Sequence, residues 1–292
     1  PSDHGGVSVG FGNVKAYVDA HLEGRTHFCS FRKVPSQATV AGWWADLSMA
    51  AGNPPPNYYA SSPLVAATLD GFRGVFHGDA KAPSTKHLTE LGLVTPTAGL
   101  VGQYMLLDYL LYYPFVDCDD GDTQVMDNTA TLPRYTDGAG VQVMAVAVAP
   151  TTGGGSFTFD YVNQDGLAKT SPVQGCSTTA ASIASIITSQ PNVANSGWPF
   201  LPLASGDTGV RSITSVQFSV LNGGLMALVL VKPLADSVVR EINTMREVSF
   251  VNGRAGSPRV VDGAYLNFIM NCAGSIAAGQ LAGFGRFAWR GG

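Results

Sequence analysis

Short strand-like runs separated by turn signals dominate the chain from Phe28 onwards. The runs QVMAVAVA and LMALVLV are almost wholly apolar, as in strands buried on both faces. The runs SFTFDYV and SITSVQFSV alternate apolar and polar positions, as in strands with one wet face. Clusters rich in Gly, Pro, Asn and Asp separate such runs. The pattern predicts a mainly β protein, a β-sandwich or jelly-roll-like domain with one or two short helices.

One pair of runs predicts a β-hairpin. SITSVQFSV is followed by LNGG and then by LMALVLV, so Asn222, Gly223 and Gly224 stand between two strand-like segments. Asn-Gly and Gly-Gly readily adopt the positive φ angles of tight turns. We therefore expect these two strands to pair with each other.

Two segments carry a helical pattern. Residues 178–191, TTAASIASIITSQP, place Ala180, Ile183, Ile186 and Ile187 at helical spacing before a proline that would stop a helix. This segment is the best helix candidate in the sequence. LADSVVREINTMREVSFV could begin helical after Pro233, although its end is strand-like.

The pattern predicts an N-terminal arm followed by a β-rich body. Residues 1–27 begin with a glycine-rich stretch and continue with VKAYVDAHLEGRTH, which could hold a short helix or strand. An arm of this kind is ordered only where it docks. The body spans residues 28–292, with a possible subdivision near residues 151–156, TTGGGS.

The composition changes the picture of the surface. Asp, Glu, Lys and Arg make up 13% of the chain, against about 25% in an ordinary soluble domain, and 45% of the residues are hydrophobic. This balance favours a protein whose surface is partly covered by other protein chains, although Ser, Thr, Asn and Gln can also wet a surface. The net charge is −4 without a basic cluster, so we expect no nucleic-acid binding.

The cysteines and the hydropathy argue against a secreted or membrane protein. Cys29, Cys118, Cys176 and Cys272 are far apart and form no CxxC motif, so we expect four reduced thiols. We find neither a signal peptide nor an apolar run long enough for a membrane span. The expectation is a protein made in a reducing cytoplasm that binds no membrane.

The search for catalytic chemistry is mostly empty. HExxH, P-loop and GxGxxG motifs are absent from the sequence. A site built from His77, Asp79 and His87 is conceivable, and so is a Cys-His nucleophilic pair, but isolated histidines are more often surface or hydrogen-bonded groups. We expect neither enzymatic activity nor a cofactor.

The acidic stretch DCDDGDTQVMDN, residues 117–128, invites comparison with a calcium loop. In that frame Asp117 and Asp119 fit, but Gly121 stands where an oxygen ligand is required and Asp122 where glycine is needed. The last position is Asn128, which cannot supply two carboxylate oxygens. An irregular metal site from Asp117, Asp119 and Asp122 is the weaker reading, and a solvated turn is the stronger one.

Two aromatic motifs are candidate partner-binding sites. GNPPPNYY contains Pro54, Pro55 and Pro56, which stiffen an extended segment, followed by Tyr58 and Tyr59. It could be a docking strap or a carbohydrate platform, or a rigid inter-strand loop with one tyrosine packed inward. The adjacent pair Trp43 and Trp44 would point to opposite faces of a strand, one towards the core and one towards solvent.

Several phrases of the sequence resemble a family of virion structural proteins of tailed double-stranded DNA bacteriophages. The phrases are YYPFVDCDDGDTQVMDNTATLPRYTDGAGVQVM, YVNQDGLA, GDTGVRSITSV, GGLMALVLVKPLA, DGAYLNFI and GSIAAGQL, together with FRKVPSQAT and GNPPPNYY. The resemblance covers roughly residues 28 to 285 and leaves the N-terminal arm outside. It implies a place in the virion and marks no residue as catalytic.

The resemblance and the composition together lead to one main expectation. It is a capsid decoration or cement protein on the outer surface of the head, which binds the major capsid protein and copies of itself in a homo-oligomer such as a trimer. The alternative is a tail-, neck- or fibre-associated protein that binds the host through Trp43, Trp44, Tyr58 and Tyr59. A virion-borne glycosidase using the carboxylates of residues 117–127 is less favoured, because it needs two carboxyl groups facing each other across a cleft.

Overall fold

The protein is mainly β, as the alternation in its sequence predicts. A computed structural model describes residues 11, 13–191, 197–251 and 256–291. In this part of the chain the strands form three antiparallel sheets. One α-helix, α1 (Val14–Leu22), precedes them, and the side chain of Asn13 caps it by accepting a hydrogen bond from the Ala16 amide at 2.8 Å. No helix among the described residues is long and apolar enough to cross a membrane.

The first sheet, which we call the terminal sheet, contains the first and the last strands of the chain. In spatial order its strands are β14 (Arg246–Ser249), β5 (Lys86–Val94), β17 (Leu281–Trp289), β1 (Thr26–Val34) and β3 (Ala51–Asn53), with β15 (Arg259–Val260) also paired to β5.

The second sheet, the central sheet, lies between the other two. Its order is β2 (Trp44–Asp46), β16 (Leu266–Asn271), β6 (Gly102–Asp117), β13 (Leu225–Val239) and β8 (Gln142–Ala147), and β4 (Ala67–Thr68) pairs with β6. The third, the side sheet, has the order β10 (Ala168–Thr170), β9 (Ser156–Asn163), β12 (Val210–Val220) and β7 (Gln124–Val125), with β11 (Gln174–Gly175) paired to β9.

The central sheet shares a hydrophobic core with each of its neighbours. Leu106 of β6 belongs to a buried cluster with Phe31 of the terminal sheet. Further along the same strand, Tyr113 belongs to a second cluster with Phe159 of the side sheet. Both neighbouring sheets therefore pack on different parts of one long strand, which gives a sandwich-like arrangement.

A third cluster is enclosed by the central sheet itself. The segment 184–187 lies between the two edge strands of this sheet and hydrogen-bonds to both. The Ile186 amide donates to the Trp44 carbonyl on β2 at 2.9 Å, and the Ile187 amide donates to the Ala145 carbonyl on β8 at 3.0 Å. The sheet is thus closed through this segment, and both of its edges are covered.

The helix predicted over residues 178–191 is wrong. This segment forms turns and isolated bridges, with Ala184 at a φ of 70°. Besides two turn bonds within the segment, its backbone groups bond to β2 and β8, and Ile186 and Ile187 are fully buried. A turn that covers a sheet edge can bury the same residues as an amphipathic helix. The helical spacing of the apolar residues therefore did not distinguish the two structures.

The possible helix after Pro233 is also wrong. β13 continues without a helical break to Val239, paired throughout with β6. A register shift occurs between Pro233 and Ala235, so the proline sits at an irregularity of the ladder, where its missing amide is tolerated.

The turn predicted around Asn222 is present, but the predicted pairing of the two strands on either side of it is wrong. Gly223 and Gly224 have φ angles of 65° and 83°. However, β12 belongs to the side sheet and β13 to the central sheet, so the two strands do not pair. The turn carries the chain from one layer of the sandwich to the other.

Two predicted boundaries, the end of the N-terminal arm and the possible subdivision near residues 151–156, can be compared with the positions of the strands. β1 begins at Thr26, so the body starts two residues inside the predicted arm of residues 1–27; residues 1–10 and 12 lie outside the described residues. Residues 151–156 connect β8 of the central sheet to β9 of the side sheet. Side chains from before and after this connection share one core, and the subdivision stays a prediction.

Candidate functional site

The predicted partner-binding segment leaves the edge of the terminal sheet as a strap pinned at both ends. We call residues 54–59 the proline strap; it follows β3, and the Asn53–Pro54 peptide bond is cis. Pro54 and Tyr59, its first and last residues, are buried. Pro55 and Tyr58 are exposed, and the Tyr58 side chain keeps 58% of its surface accessible.

Three contacts hold the proline strap. The Lys33 ammonium donates to the Pro54 carbonyl at 3.0 Å, and the Asn57 amide donates to the Ser48 carbonyl at 2.9 Å. At the far end the Tyr59 hydroxyl donates to the Asp46 carboxylate. The strap therefore presents Pro55 and Tyr58 on a backbone fixed from inside the fold.

The Asp46 carboxylate is the centre of a buried polar cluster. It also accepts hydrogen bonds from the Tyr109 hydroxyl at 2.7 Å and from the amide and hydroxyl of Ser48, both at 2.8 Å. Burial raises the pKa of Asp46, against the effect of these donors, and raises the pKa values of Tyr59 and Tyr109 well above the usual tyrosine value.

Lys33 is the cation of the same region. Burial lowers its pKa to about 8, and the nearby Asp46 carboxylate opposes that shift. Its side chain is fully buried even though it stands on β1, where Arg32 next to it is exposed. This cluster is closed to solvent, so it can brace the strap but offers no surface to a substrate.

The sequence did not point to Lys33, Asp46 or Tyr109. A usable signal existed for Lys33, because it follows Cys29 and Phe31 at period two and therefore lies on the inward face of β1. Asp46 precedes Ser48 by two residues, the spacing of a side-chain cap on a short turn, and it caps the 3₁₀ turn at Leu47–Met49. No short-range pattern marks Tyr109 as their partner.

The structure corrects the partner-binding prediction for four residues, of which buried Pro54 is described above. Trp43 and Trp44 are both buried, with 3% and 2% of their surfaces accessible, and Tyr59 is fully buried. Trp43 packs in the core shared with the side sheet and Trp44 in the core enclosed by the central sheet. Adjacent strand residues do point to opposite faces, as predicted, but here both faces are covered.

The acidic stretch forms successive local turns. The Asp117 carboxylate accepts from the Asp119 amide at 2.9 Å, and the Asp120 carboxylate accepts from the Asp122 amide at 2.8 Å. These are bonds of aspartates to the backbone two residues ahead, as in Asx turns. No group of three or more His, Cys, Asp or Glu in the described part of the chain is placed to hold a metal ion.

His77 is engaged on both ring nitrogens. Its Nδ1 lies 2.9 Å from the Lys86 ammonium, and its Nε2 lies 3.0 Å from the Ala264 carbonyl oxygen. Burial, and after it the charge of Lys86, lowers the pKa of His77 to about 4. The carbonyl, rather than the carboxylate, of Asp79 accepts from Lys86 at 3.0 Å. The arrangement ties two loops to β5 and leaves no ring nitrogen of His77 for a ligand.

The four cysteines are free and buried. Burial raises the pKa of Cys29 to about 11, of Cys176 to about 12 and of Cys272 to about 11, and it raises the pKa of Cys118 as well. Since the thiolate is the nucleophilic form, these thiols are suited to packing rather than to covalent chemistry.

Comparison with known proteins assigns no family to this chain. No family model matches it, and no curated protein matches it. Among solved structures it was aligned with one described as the structure of infectious bursal disease virus Gt strain. That alignment covers 91% of this chain and 80% of the other at 8% identity, and its TM-score is 0.18, too low to relate the two folds.

Proposed function

We propose that this protein is a structural component of the virion of a tailed double-stranded DNA bacteriophage. In this proposal it decorates the capsid and binds the outer surface of the major capsid protein. The resemblance of residues 28–285 to such proteins motivates the proposal. The observation that carries it in the fold is the proline strap, which offers Pro55 and Tyr58 from a backbone with buried anchors at both ends.

A pinned strap suits a protein that binds a large partner. Binding costs free energy for each side chain and loop that must be ordered, and that cost is small where the backbone is already fixed. Proline and tyrosine contribute contact area with few rotatable bonds, and tyrosine adds a polar tip. These properties support a protein contact, whereas the polar cluster beneath the strap supports no catalytic role.

The test is the location and number of copies in the particle. Quantitative gels and a particle reconstruction of the phage that encodes this chain should show copies in proportion to the capsid protein, on the outer surface. A few copies at the tail vertex would overturn the capsid role in favour of a tail or neck protein. Absence from purified virions would overturn the whole proposal.

A binding assay then tests the strap. Empty capsids lacking this protein should take up the wild-type chain, and the double substitution Pro55→Ser with Tyr58→Ser should weaken that uptake at least tenfold. Leu167→Ser, at another exposed apolar residue, is the matched control and should bind as wild type. Equal uptake of all three proteins would exclude the strap as the docking site.

A further inference from the structure

The outward face of the terminal sheet presents its own side chains to solvent. The strand registers align them in three rows across β14, β5, β17 and β1. The first row is Ser249, Glu90, Arg286 and Phe28; the second is Glu247, Gly92, Phe284 and Ser30; the third is Val94, Ala282 and Arg32. The opposite face, which carries Phe31 and Leu91, packs on the central sheet.

An aromatic cluster spans β17 and β1 on this face. The rings of Phe28 and Phe284 are stacked, with centroids 5.6 Å apart and planes 28° from parallel. The Arg286 guanidinium lies 5.6 Å from the first ring and 5.7 Å from the second. Phe28 nevertheless keeps 58% of its surface accessible.

Gly92 makes the cluster flat. A Cβ atom at this position would come within 2.2 Å of the Phe284 ring, so the ring lies directly over the glycine on the neighbouring strand. A large ring pressed onto a sheet leaves a level apolar surface, which is the shape that a second sheet can cover.

The face is large enough for a specific protein contact. Three of its strands, β1, β5 and β17, have nine residues each. With about 4.8 Å between strands and about 3.3 Å per residue, and with the shorter edge strands added, the face measures roughly 600 Å². Specific interfaces start near this value per partner.

The charges on the face balance and are placed for self-recognition. Arg32 lies towards the β1 side and Glu247 towards the β14 side. Arg286 and Glu90 stand on the two middle strands and pair with each other within one copy, with Arg286 Nε 2.9 Å from Glu90 Oε2. Now consider a two-fold axis that runs along the strands between β5 and β17. It would bring Arg286 of each copy over Glu90 of the other, and Arg32 into the neighbourhood of Glu247.

Such a pattern favours one class of partner. An isologous interface requires a self-complementary surface, and this face has equal numbers of arginines and glutamates at exchanged positions. A nucleic acid would instead require an excess of positive charge. We propose that the outward face of the terminal sheet, which includes Phe28 and Phe284, is the contact surface between two copies of this chain, packed face to face about that axis.

The proposal is tested by the mass of the full chain in solution. Sedimentation equilibrium should give twice the 30.4 kDa of one chain. Phe28→Asp should weaken self-association at least tenfold, because it replaces an apolar ring in the contact surface of each copy with a carboxylate. Leu167→Asp, at a residue that is similarly exposed in the turn between β9 and β10, is the matched control and should leave the dimer intact. A monomeric wild type, or a Phe28→Asp variant as dimeric as wild type, would overturn the proposal.

A charge exchange tests the two-fold geometry and guards against simple misfolding. Arg32→Glu and Glu247→Arg should each weaken the dimer, and the double variant should regain most of the loss, because the pairing across the axis is restored. Failure of the double variant to recover would overturn this arrangement of the copies. This proposal is independent of the virion role, because a monomeric chain in the sedimentation experiment would not change the copy number measured on particles.

Discussion

The carboxylate of Asp108 and the guanidinium of Arg134 form a two-pronged ion pair in the interior of the protein. Oδ1 lies 2.7 Å from Nη2 and Oδ2 lies 3.0 Å from Nε. Oδ1 also accepts from the Tyr265 amide at 2.9 Å, and Nη2 donates to the Tyr109 carbonyl at 2.9 Å. Asp108 lies on β6 between Leu106 and Leu110, so the pair stands between the two cores that the central sheet shares with its neighbours.

Loss of this pair should be costly. Asp108 is fully buried, and Arg134→Met would leave its charge without a partner. We expect the free energy of unfolding to fall by about 3–5 kcal/mol, as measured by urea denaturation. The exposed pair Lys15–Asp19 on α1 provides the control, and Lys15→Met should change stability by about 0.5 kcal/mol or less. A small effect of Arg134→Met would contradict the view that the charges depend on each other.

The two neighbouring tyrosines of the proline strap should differ sharply. Tyr59→Phe removes the hydroxyl that donates to Asp46 and leaves a buried carboxylate with one partner fewer, so we expect a loss of about 1–3 kcal/mol. Tyr58→Phe removes a hydroxyl from an exposed side chain and should be neutral within about 0.5 kcal/mol. Thermal and chemical denaturation of the two variants side by side is the measurement. Equal losses would show that the strap is not anchored through Asp46.

The contribution of Lys33 to stability should rise with pH in the alkaline range. Its pKa is lowered to about 8 in the folded protein, against about 10.4 in an unfolded chain. Between these values the unfolded state binds more protons, so the contribution of this group to stability increases as the pH rises from about 8. The raised pKa values of the four cysteines, from about pH 8.5, and of Tyr59 and Tyr109, from about pH 10, act on the total stability in the opposite direction. The measurement is therefore confined to about pH 7–9.5, from about one unit below the folded-state pKa of Lys33 to just below the pH at which the tyrosines of the unfolded chain titrate.

The variant Lys33→Met isolates that contribution. The difference in unfolding free energy between wild type and this variant should change with pH across the window. A flat difference for Lys33→Met would mean that the ammonium is not desolvated in the fold.

Two glycines should respond in opposite ways to the addition of a methyl group. A Cβ on Gly99 would lie 2.0 Å from the backbone oxygen of Ser275, and backbone cannot move aside cheaply. Gly99→Ala should therefore cost about 1–3 kcal/mol or more. Gly274, adjacent to that serine, has no atom within 4 Å of the added Cβ, and Gly274→Ala should be neutral or slightly stabilising. A destabilised Gly274→Ala would argue against this packing of the two loops.

Removal of divalent metal should leave the protein unchanged. The aspartates of residues 117–122 bond to neighbouring backbone amides, which satisfies the turn without an ion. The melting temperature in excess chelator should equal that in calcium, within the error of a scanning measurement. A drop of several degrees on chelation, restored by calcium, would establish a metal site at this loop.

The site was predicted from the sequence only in part. The proline strap and the exposure of Tyr58 follow from local chemistry, because three prolines stiffen the segment and its position after a strand end places it near the surface. The burial of Trp43, Trp44 and Tyr59 does not follow from local chemistry, because each side chain is covered by residues from distant parts of the chain. Phe28 was also missed, since an exposed aromatic on a strand has no local signature.

The sequence by itself determined the class of structure and the places where the chain turns. Period-two alternation commits β9 and β12 to strands with one buried face, and Gly223 and Gly224 supply the positive φ angles that any turn there requires. Only the tertiary structure decided what those strands pair with, and that the segment 184–187 closes the central sheet instead of forming a helix. The reason is physical. A β-strand satisfies its hydrogen bonds through partners that are remote in sequence, so local pattern fixes the element but not its neighbours.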